Sequence, residues 1–201
     1  MTLLTVWADD RPETPLVQTA DRAAIAEHLG ALGVTYELLD AQAAAGGAPA
    51  LAATATSDEV LEAHRSLVDA LVAEHGYTLV DVAQIHPRDD DEWRTMAATA
   101  RGKFLAEHTH DEEEIRYFAH GSGVFYLHIG DRVAAVLCTA GDLINVPALT
   151  THWFDMGTSP DFTAIRFFRT DDGWVGSFTG SDIATRFADS DTLQAQARAH
   201  A

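Results

Sequence analysis

The sequence predicts a mainly β fold, a small antiparallel barrel or jelly roll with N-terminal helices and strands packed around it. Three observations carry that expectation. From about residue 103 short apolar segments succeed one another: KFLAEHTH, EIRYFAHG, GVFYLHIG, RVAAVLC, DLINVP, THWFDMG and FTAIRFFR. Turn residues separate them at Gly121-Ser122-Gly123, Gly130-Asp131, Gly141-Asp142 and Gly157 to Pro160, the pattern of many short strands at even spacing. A length of 201 residues fits one domain. Within it, residues 1–102 read as α/β elements, 103–180 as the barrel core, and 181–201 as a short helix and a frayed tail.

The elements follow in order. LLTVW suggests a short first strand. Ile25, Leu29 and Leu32 recur at helical spacing across residues 21–32, and Gly33 is placed to stop that helix. VTYELL at 34–39 alternates like a strand, and 41–56 is a low-complexity connection rich in Ala and Gly. Ser57 is the expected cap of the clearest helix, with Asp58 and Glu59 in its first turn. Val60, His64, Leu67, Val68, Leu71 and Val72 form its apolar stripe, and Gly76 ends it. VDVAQIHP reads as a strand, and DDDEWRTMAATA as a short helix capped by acids.

Composition narrows the function classes. The formal charge is −18, with one lysine, Lys103, and twelve arginines that form no basic stripe. Nucleic acid and anionic membrane surfaces need clustered cations, so neither is an expected partner. No stretch approaches the ~18 consecutive apolar residues of a membrane span, and no export signal opens the chain, so a cytoplasmic location is expected. Cys138, the only cysteine, lies in the apolar run VAAVLC and reads as a core residue. An anionic small substrate would be repelled by this surface at large. A site for one therefore needs a local positive centre, which a metal ion and an arginine would supply.

EHTHDEEE holds the chemistry. His108 and His110 lie two apart, which on a strand puts both imidazoles on one face. Glu114 follows four residues later, close enough for a turn to bring its carboxylate to the same point. His152 lies on another segment and would close the site from across the barrel. Three imidazoles and a carboxylate suit a borderline divalent ion, Fe(II), Ni(II), Mn(II) or Zn(II). The bland reading of the isolated motif is an acidic surface loop with two exposed histidines. His128, alone on an apolar strand, reads as a hydrogen-bonded core residue and not a fifth ligand. His120 is expected to be exposed, and His28, His64, His75, His86 and His200 show no ligand spacing.

Gly102 and Gly121 flank the first histidine motif, and Gly141 and Pro147 precede His152. That arrangement resembles the two signature motifs of the cupin superfamily, a double-stranded β-helix with its metal inside. EHTHDEEEIRYFAHGSGVFYLH followed by GDLINVPALTTHWFDMG resembles the acireductone dioxygenase family of methionine salvage. The likeness extends through LVAEHGY, FTAIRFF, GWVGSFTG and SDIA, and so spans most of the chain. It implies that His108, His110, Glu114 and His152 hold one Fe(2+) or Ni(2+) per monomer. It also implies that Arg116 helps generate the substrate dianion, that Glu107 assists metal incorporation, and that Glu113 transmits conformational change. Phe104, Phe154 and Trp174 are candidates for an apolar pocket around a thioether tail, and core filling explains each equally well.

The implied reaction is oxidation of the acireductone 1,2-dihydroxy-3-keto-5-methylthiopentene by O2, in a monomer. The iron form would give 2-keto-4-methylthiobutyrate and formate; the nickel form would give 3-methylthiopropanoate, formate and carbon monoxide. Another cupin isomerase or dioxygenase could use the same ligands, and a non-catalytic metal-binding sensor is the rival from a different class. One departure concerns the second motif, where Leu149 and Met156 replace a usual Gly and Asn. Leucine disfavours positive φ, so the turn before His152 is expected to relax into another conformation.

Overall fold

The computed structural model describes residues 1–39, 54–170 and 174–200. Eleven strands lie among them: β1 Leu3–Ala8, β2 Val17–Thr19, β3 Thr35–Leu38, β4 Leu79–Ile85, β5 His108–Thr109 and β6 Glu114–Ile129 come first. β7 Arg132–Thr139, β8 Asp142–Val146, β9 Thr151–Asp155, β10 Phe162–Phe168 and β11 Ser177–Phe178 follow. One antiparallel sheet runs β11-β5-β9-β6-β7-β1-β2, and a second runs β4-β10-β6-β8-β3. The long strand β6 belongs to both and bends from one to the other. This is the expected antiparallel jelly roll.

β6 corrects one expectation. Its sixteen residues run continuously through the Gly-Ser-Gly segment that reads as a turn between two strands. A bulge makes this possible. Thr163 pairs with His120 and Ala164 with Phe118, so Ala119 has no partner across β10. One extra residue reverses the inward face, because side chains alternate with period two. Before the bulge the even positions Glu114, Arg116 and Phe118 face inward; after it Phe125 and Leu127 do, and Phe118, Phe125 and Leu127 share one buried cluster. Gly121 adopts φ 68°, and a Cβ there would lie 1.8 Å from the Asp161 carbonyl oxygen. Gly123 makes room for Phe154, whose Cζ would lie 2.4 Å from an added Cβ.

Apolar burial is arranged in three clusters. The interior one, between the sheets, includes Leu4, Phe118, Phe125, Val136, Phe154 and the buried Cys138, as its apolar run suggests. Helix α1, Arg22–Ala31, is capped by Asp21 and adds Ile25 and Leu29 to that cluster. A second cluster lies on the outer face of β1, β6 and β7 around Trp7, Tyr126 and Trp153. A third, around Tyr117, Ile165 and Phe167, is covered by the helices that follow residue 56.

Three helical readings change. The expected single helix after residue 56 is two, α2 Ser57–Ala63 and α3 Arg65–His75. Its cap is Thr56, not Ser57: Thr56 and Glu59 form a reciprocal capping box. The chain turns at the buried His64, whose Nδ1 lies 2.9 Å from the Val60 carbonyl oxygen and whose ring packs on Tyr117. The acid-capped helix, α4 Asp91–Phe104, runs past Gly102, so KFLAEHTH contributes only the two residues of β5 as strand. The terminal segment carries the expected short helix. α5, Ser190–Ala199, docks Leu193 and Ala197 on the second cluster. The connection at 41–56 lies largely outside the described residues. No helix among those described is long and apolar enough to cross a membrane.

Replacing Gly121 by Ala should destabilise the fold by about 3 kcal/mol, the sum of backbone collision and left-handed strain. Gly30, inside α1 with open space around it, should accept Ala without loss. Urea denaturation midpoints of the two variants check the contrast.

Candidate metal centre

Register assembles the site. β5 pairs with β9 so that His108 stands opposite His152, and Leu127 of β6 lies on the other side of His152. His110 is just past β5, and its carbonyl accepts from the Leu149 backbone N–H at 2.8 Å. Glu114 opens β6 opposite Val146. All four side chains are buried. The imidazole centroids are 4.5 Å apart for His108 and His152, 4.9 Å for His108 and His110, and 5.1 Å for His110 and His152.

The outward nitrogens fix the inward ones. His108 Nδ1 donates to the Ala106 carbonyl at 2.7 Å, His110 Nδ1 to Val175 at 3.0 Å, and His152 Nδ1 to Thr150 at 2.7 Å. A carbonyl only accepts, so each Nδ1 carries the hydrogen, and in the neutral ring each Nε2 is left with its lone pair. One ring nitrogen from each histidine lies within 4.8 Å of the others. Glu114 Oε2 is 3.1 Å from His110 Nε2 and 3.0 Å from His152 Nε2. Lone pairs facing a carboxylate repel unless a proton or a metal cation stands among them. The donor set therefore fits a borderline divalent ion.

Ionisation points the same way. Burial would raise the Glu114 carboxyl, but Arg116, His110 and His152 hold it well below the usual carboxylate range. Burial pushes His108 down, so it is neutral and ready to ligate. Burial also acts to lower His110, but Glu114 more than offsets it and the net shift is upward.

Arg116 finds a partner the sequence reading did not consider. Its Nη2 sits 2.7 Å from Glu114 Oε1, a contact of charges without hydrogen-bond alignment, and its buried Nε has no acceptor among the described residues. The guanidinium carbon lies 4.5 Å from the Phe154 ring centroid, 5.1 Å from Phe125 and 5.5 Å from Trp174. Burial lowers its pKa, with Glu114 acting against that shift.

A cavity of about 350 Å³ opens over the three imidazoles, Glu114 and Arg116. Phe104, Phe154 and Trp174 all line it. Leu79, Phe168, Asp81 and Arg166 line it too, and sequence reasoning missed them. Arg166 pairs across the register with both Arg116 and Asp81, and holds Asp81 at 2.7 Å through Nε. A charged residue in the inward phase of FTAIRFF was the available signal.

Glu107 points away from the imidazoles: it is buried, 2.6 Å from His128 Nδ1, and accepts from Thr179 at 2.6 Å. His128 is accordingly a hydrogen-bonded strand residue outside the ligand group. Glu113 accepts from Asn145 at 2.9 Å and Arg169 at 2.6 Å, and its carbonyl takes the Trp174 indole N–H. It therefore joins β8, the end of β10 and one wall of the cavity.

Leu149 contradicts expectation. The turn has not relaxed: Leu149 itself adopts φ 62°, the left-handed region, with 68% of its surface exposed. Its N–H bond to the His110 carbonyl holds the residue there and links the two segments that carry His110 and His152. Met156, in place of the usual Asn, is buried in the interior cluster.

Residues 54–176 match the family model described as "ARD/ARD' family". A protein of Frankia alni named "Acireductone dioxygenase" is 56% identical over 193 residues, covering 96% of this chain and 91% of that protein. One of the same name from Saccharopolyspora erythraea is 51% identical over 97% of this chain and 99% of its own length. Among solved structures, "Acireductone dioxygenase from Bacillus anthracis with cadmium ion in active center" superposes with a TM-score of 0.73 at 23% identity. That match covers 89% of this chain and 98% of the other, and shows a shared fold.

Two predictions follow from this geometry. His152→Ala should weaken metal binding by more than the roughly 10–100-fold typical of outer-sphere partners, while His128→Ala should keep the metal; elemental analysis of the purified variants decides. Leu149→Gly should stabilise, because relief of about 1–2 kcal/mol of left-handed strain exceeds the ~0.4–1 kcal/mol of added unfolded-chain entropy. A thermal melt should show a rise of a few degrees.

Proposed function

From the premise that this chain belongs to the acireductone dioxygenase (ARD/ARD') family, we propose that it is itself such a dioxygenase, with His108, His110, Glu114 and His152 as the ligands of one Fe(2+) or Ni(2+). The observation that carries the reading is the set of three Nδ1–H donations to backbone carbonyls, which leaves three Nε2 atoms free to ligate, those of His110 and His152 within 3.1 Å of the Glu114 carboxylate. The substrate is 1,2-dihydroxy-3-keto-5-methylthiopentene, with O2 as co-substrate. When bound, the metal would supply Lewis acidity toward the enediol.

The chain's own residues do the rest. Arg116 brings a buried positive charge to the cavity and offsets the second negative charge as the enediol loses its protons. Three aromatic rings hold its guanidinium, so little reorganisation is needed when that charge forms. Its Nε–H is buried without an acceptor among the described residues. Phe104, Phe154 and Trp174 give the thioether tail an apolar wall and keep water from the electron-rich dianion. Arg166, held by Asp81, adds positive potential at the same cavity in an otherwise strongly acidic protein. Glu107 and Glu113 act from behind the site, Glu107 through the strand carrying His108 and Glu113 through the Trp174 wall.

Arg116→Ala should retain metal and lose about 10²–10³ in kcat, the usual effect of removing one preorganised charge contact. Loss of ultraviolet absorbance of a model acireductone under O2, with metal content measured alongside, reads both quantities. Turnover at the parent rate would assign Arg116 to neutralising Glu114 alone. Stripped protein reloaded with nickel should release carbon monoxide, and iron-loaded protein should give the keto acid and formate without it. Headspace gas analysis and keto-acid assay separate the two.

A further inference from the structure

A second constellation lies away from the cavity, on the outer face of the sheet shared by β4, β10 and β6. His86 follows the end of β4, His120 is on the bulge of β6, and Asp161 immediately precedes β10. One donor atom from each lies within 4.8 Å of the others. His86 Nδ1 is 2.9 Å from Asp161 Oδ1, and His120 Nε2 is 3.3 Å from the same oxygen. Two donors bound to one zinc ion at tetrahedral to right angles stand about 3.0–3.4 Å apart, so little movement would admit an ion.

We propose that His86, His120 and Asp161 form a second divalent-metal site, one that takes Zn(II) or a similar borderline ion. Two imidazoles and one carboxylate select such ions over Mg(II) and Ca(II), which prefer all-oxygen sets. An outer relay orders His86: its Nε2 lies 3.0 Å from Thr163 Oγ1, which donates to Gln84 Oε1 at 3.5 Å. With that hydroxyl donating onward, Nε2 carries the hydrogen and Nδ1 presents a lone pair to the site. The backbone that carries the carboxylate is fixed too. The Asp161 carbonyl accepts from Ser122 N–H at 3.1 Å and abuts Gly121, which fixes the chain on which Asp161 stands. The Ala119 bulge is what turns His120 outward; without the extra residue its side chain would face the interior.

His120 and Asp161 are about half exposed, so solvent can fill the remaining coordination positions and an ion can enter directly. Bound there, it would tie together three adjacent strands whose other residues include Asp81, Arg116 and Arg166. Its contribution would be to the rigidity of that sheet, independent of what fills the buried centre.

The test uses protein whose buried centre has been filled with nickel, then equilibrated against zinc alone. Total metal should reach two ions per chain, and zinc should raise the melting temperature. His120→Ala and Asp161→Asn, both surface changes, should each bind zinc at least tenfold more weakly, hold a total of one ion and lose the thermal shift. A total of one ion in the parent overturns the proposal, as does a variant that still holds two.

Discussion

Taking the Glu114 carboxylate out of water costs several kcal/mol unless opposite charge and donors surround it. Here Arg116 stands at one oxygen, and His110 and His152 at the other. Each neighbour is delivered by a different constraint. Arg116 is two residues along the same strand and so shares its face; His152 arrives through β9, which pairs with both β5 and β6; His110 sits where the chain turns from β5 toward β6. The buried charge is thus compensated only when both sheets are formed. That makes the candidate site a product of the complete jelly roll and not of EHTHDEEE alone.

The same carboxylate joins fold to chemistry. With every Nδ1 committed to a carbonyl, the imidazoles cannot rotate to satisfy themselves elsewhere, and Nε2 of His110 and His152 stays beside Glu114. Two of those carbonyls, of Ala106 and Thr150, lie two residues before the histidines they hold, so the local chain sets the tautomer. The third, of Val175, comes from beyond β10 and brings Trp174 with it over the cavity. Arg116 is bound on one side to Glu114 and on the other to aromatic rings, and its buried Nε has no acceptor among the described residues. Leu149 shows that the arrangement is held against local strain: a left-handed leucine persists where its N–H joins the two ligand segments.

Much of this was legible because it has short period. His108, His110, Glu114 and Arg116 are legible from spacing and motif, and the strand sequence after residue 103 from its turns. What escaped depends on register between distant strands. Arg166 meets Asp81 across 85 residues, and nothing near either announces the pair. His86, His120 and Asp161 show no ligand spacing because they meet only through three neighbouring strands, one of them bulged. Gly-Ser-Gly reads as a turn by composition, yet tertiary contact with Asp161 and Phe154 uses those glycines to bend one strand. The second-motif turn was misjudged in the other direction: propensity argued against a left-handed leucine, and a single backbone hydrogen bond outweighed it.

The central claim is that three Nδ1–H imidazoles direct their Nε2 atoms at one ion beside Glu114. Long-range proton–nitrogen NMR of the histidine rings in zinc-loaded protein tests it most directly, because the two ring nitrogens report protonation and ligation separately. His108, His110 and His152 should all show a protonated Nδ1 and a metal-shifted Nε2, while His128 should show no metal shift. A protonated Nε2 at any of the three, with the metal bound, would contradict it.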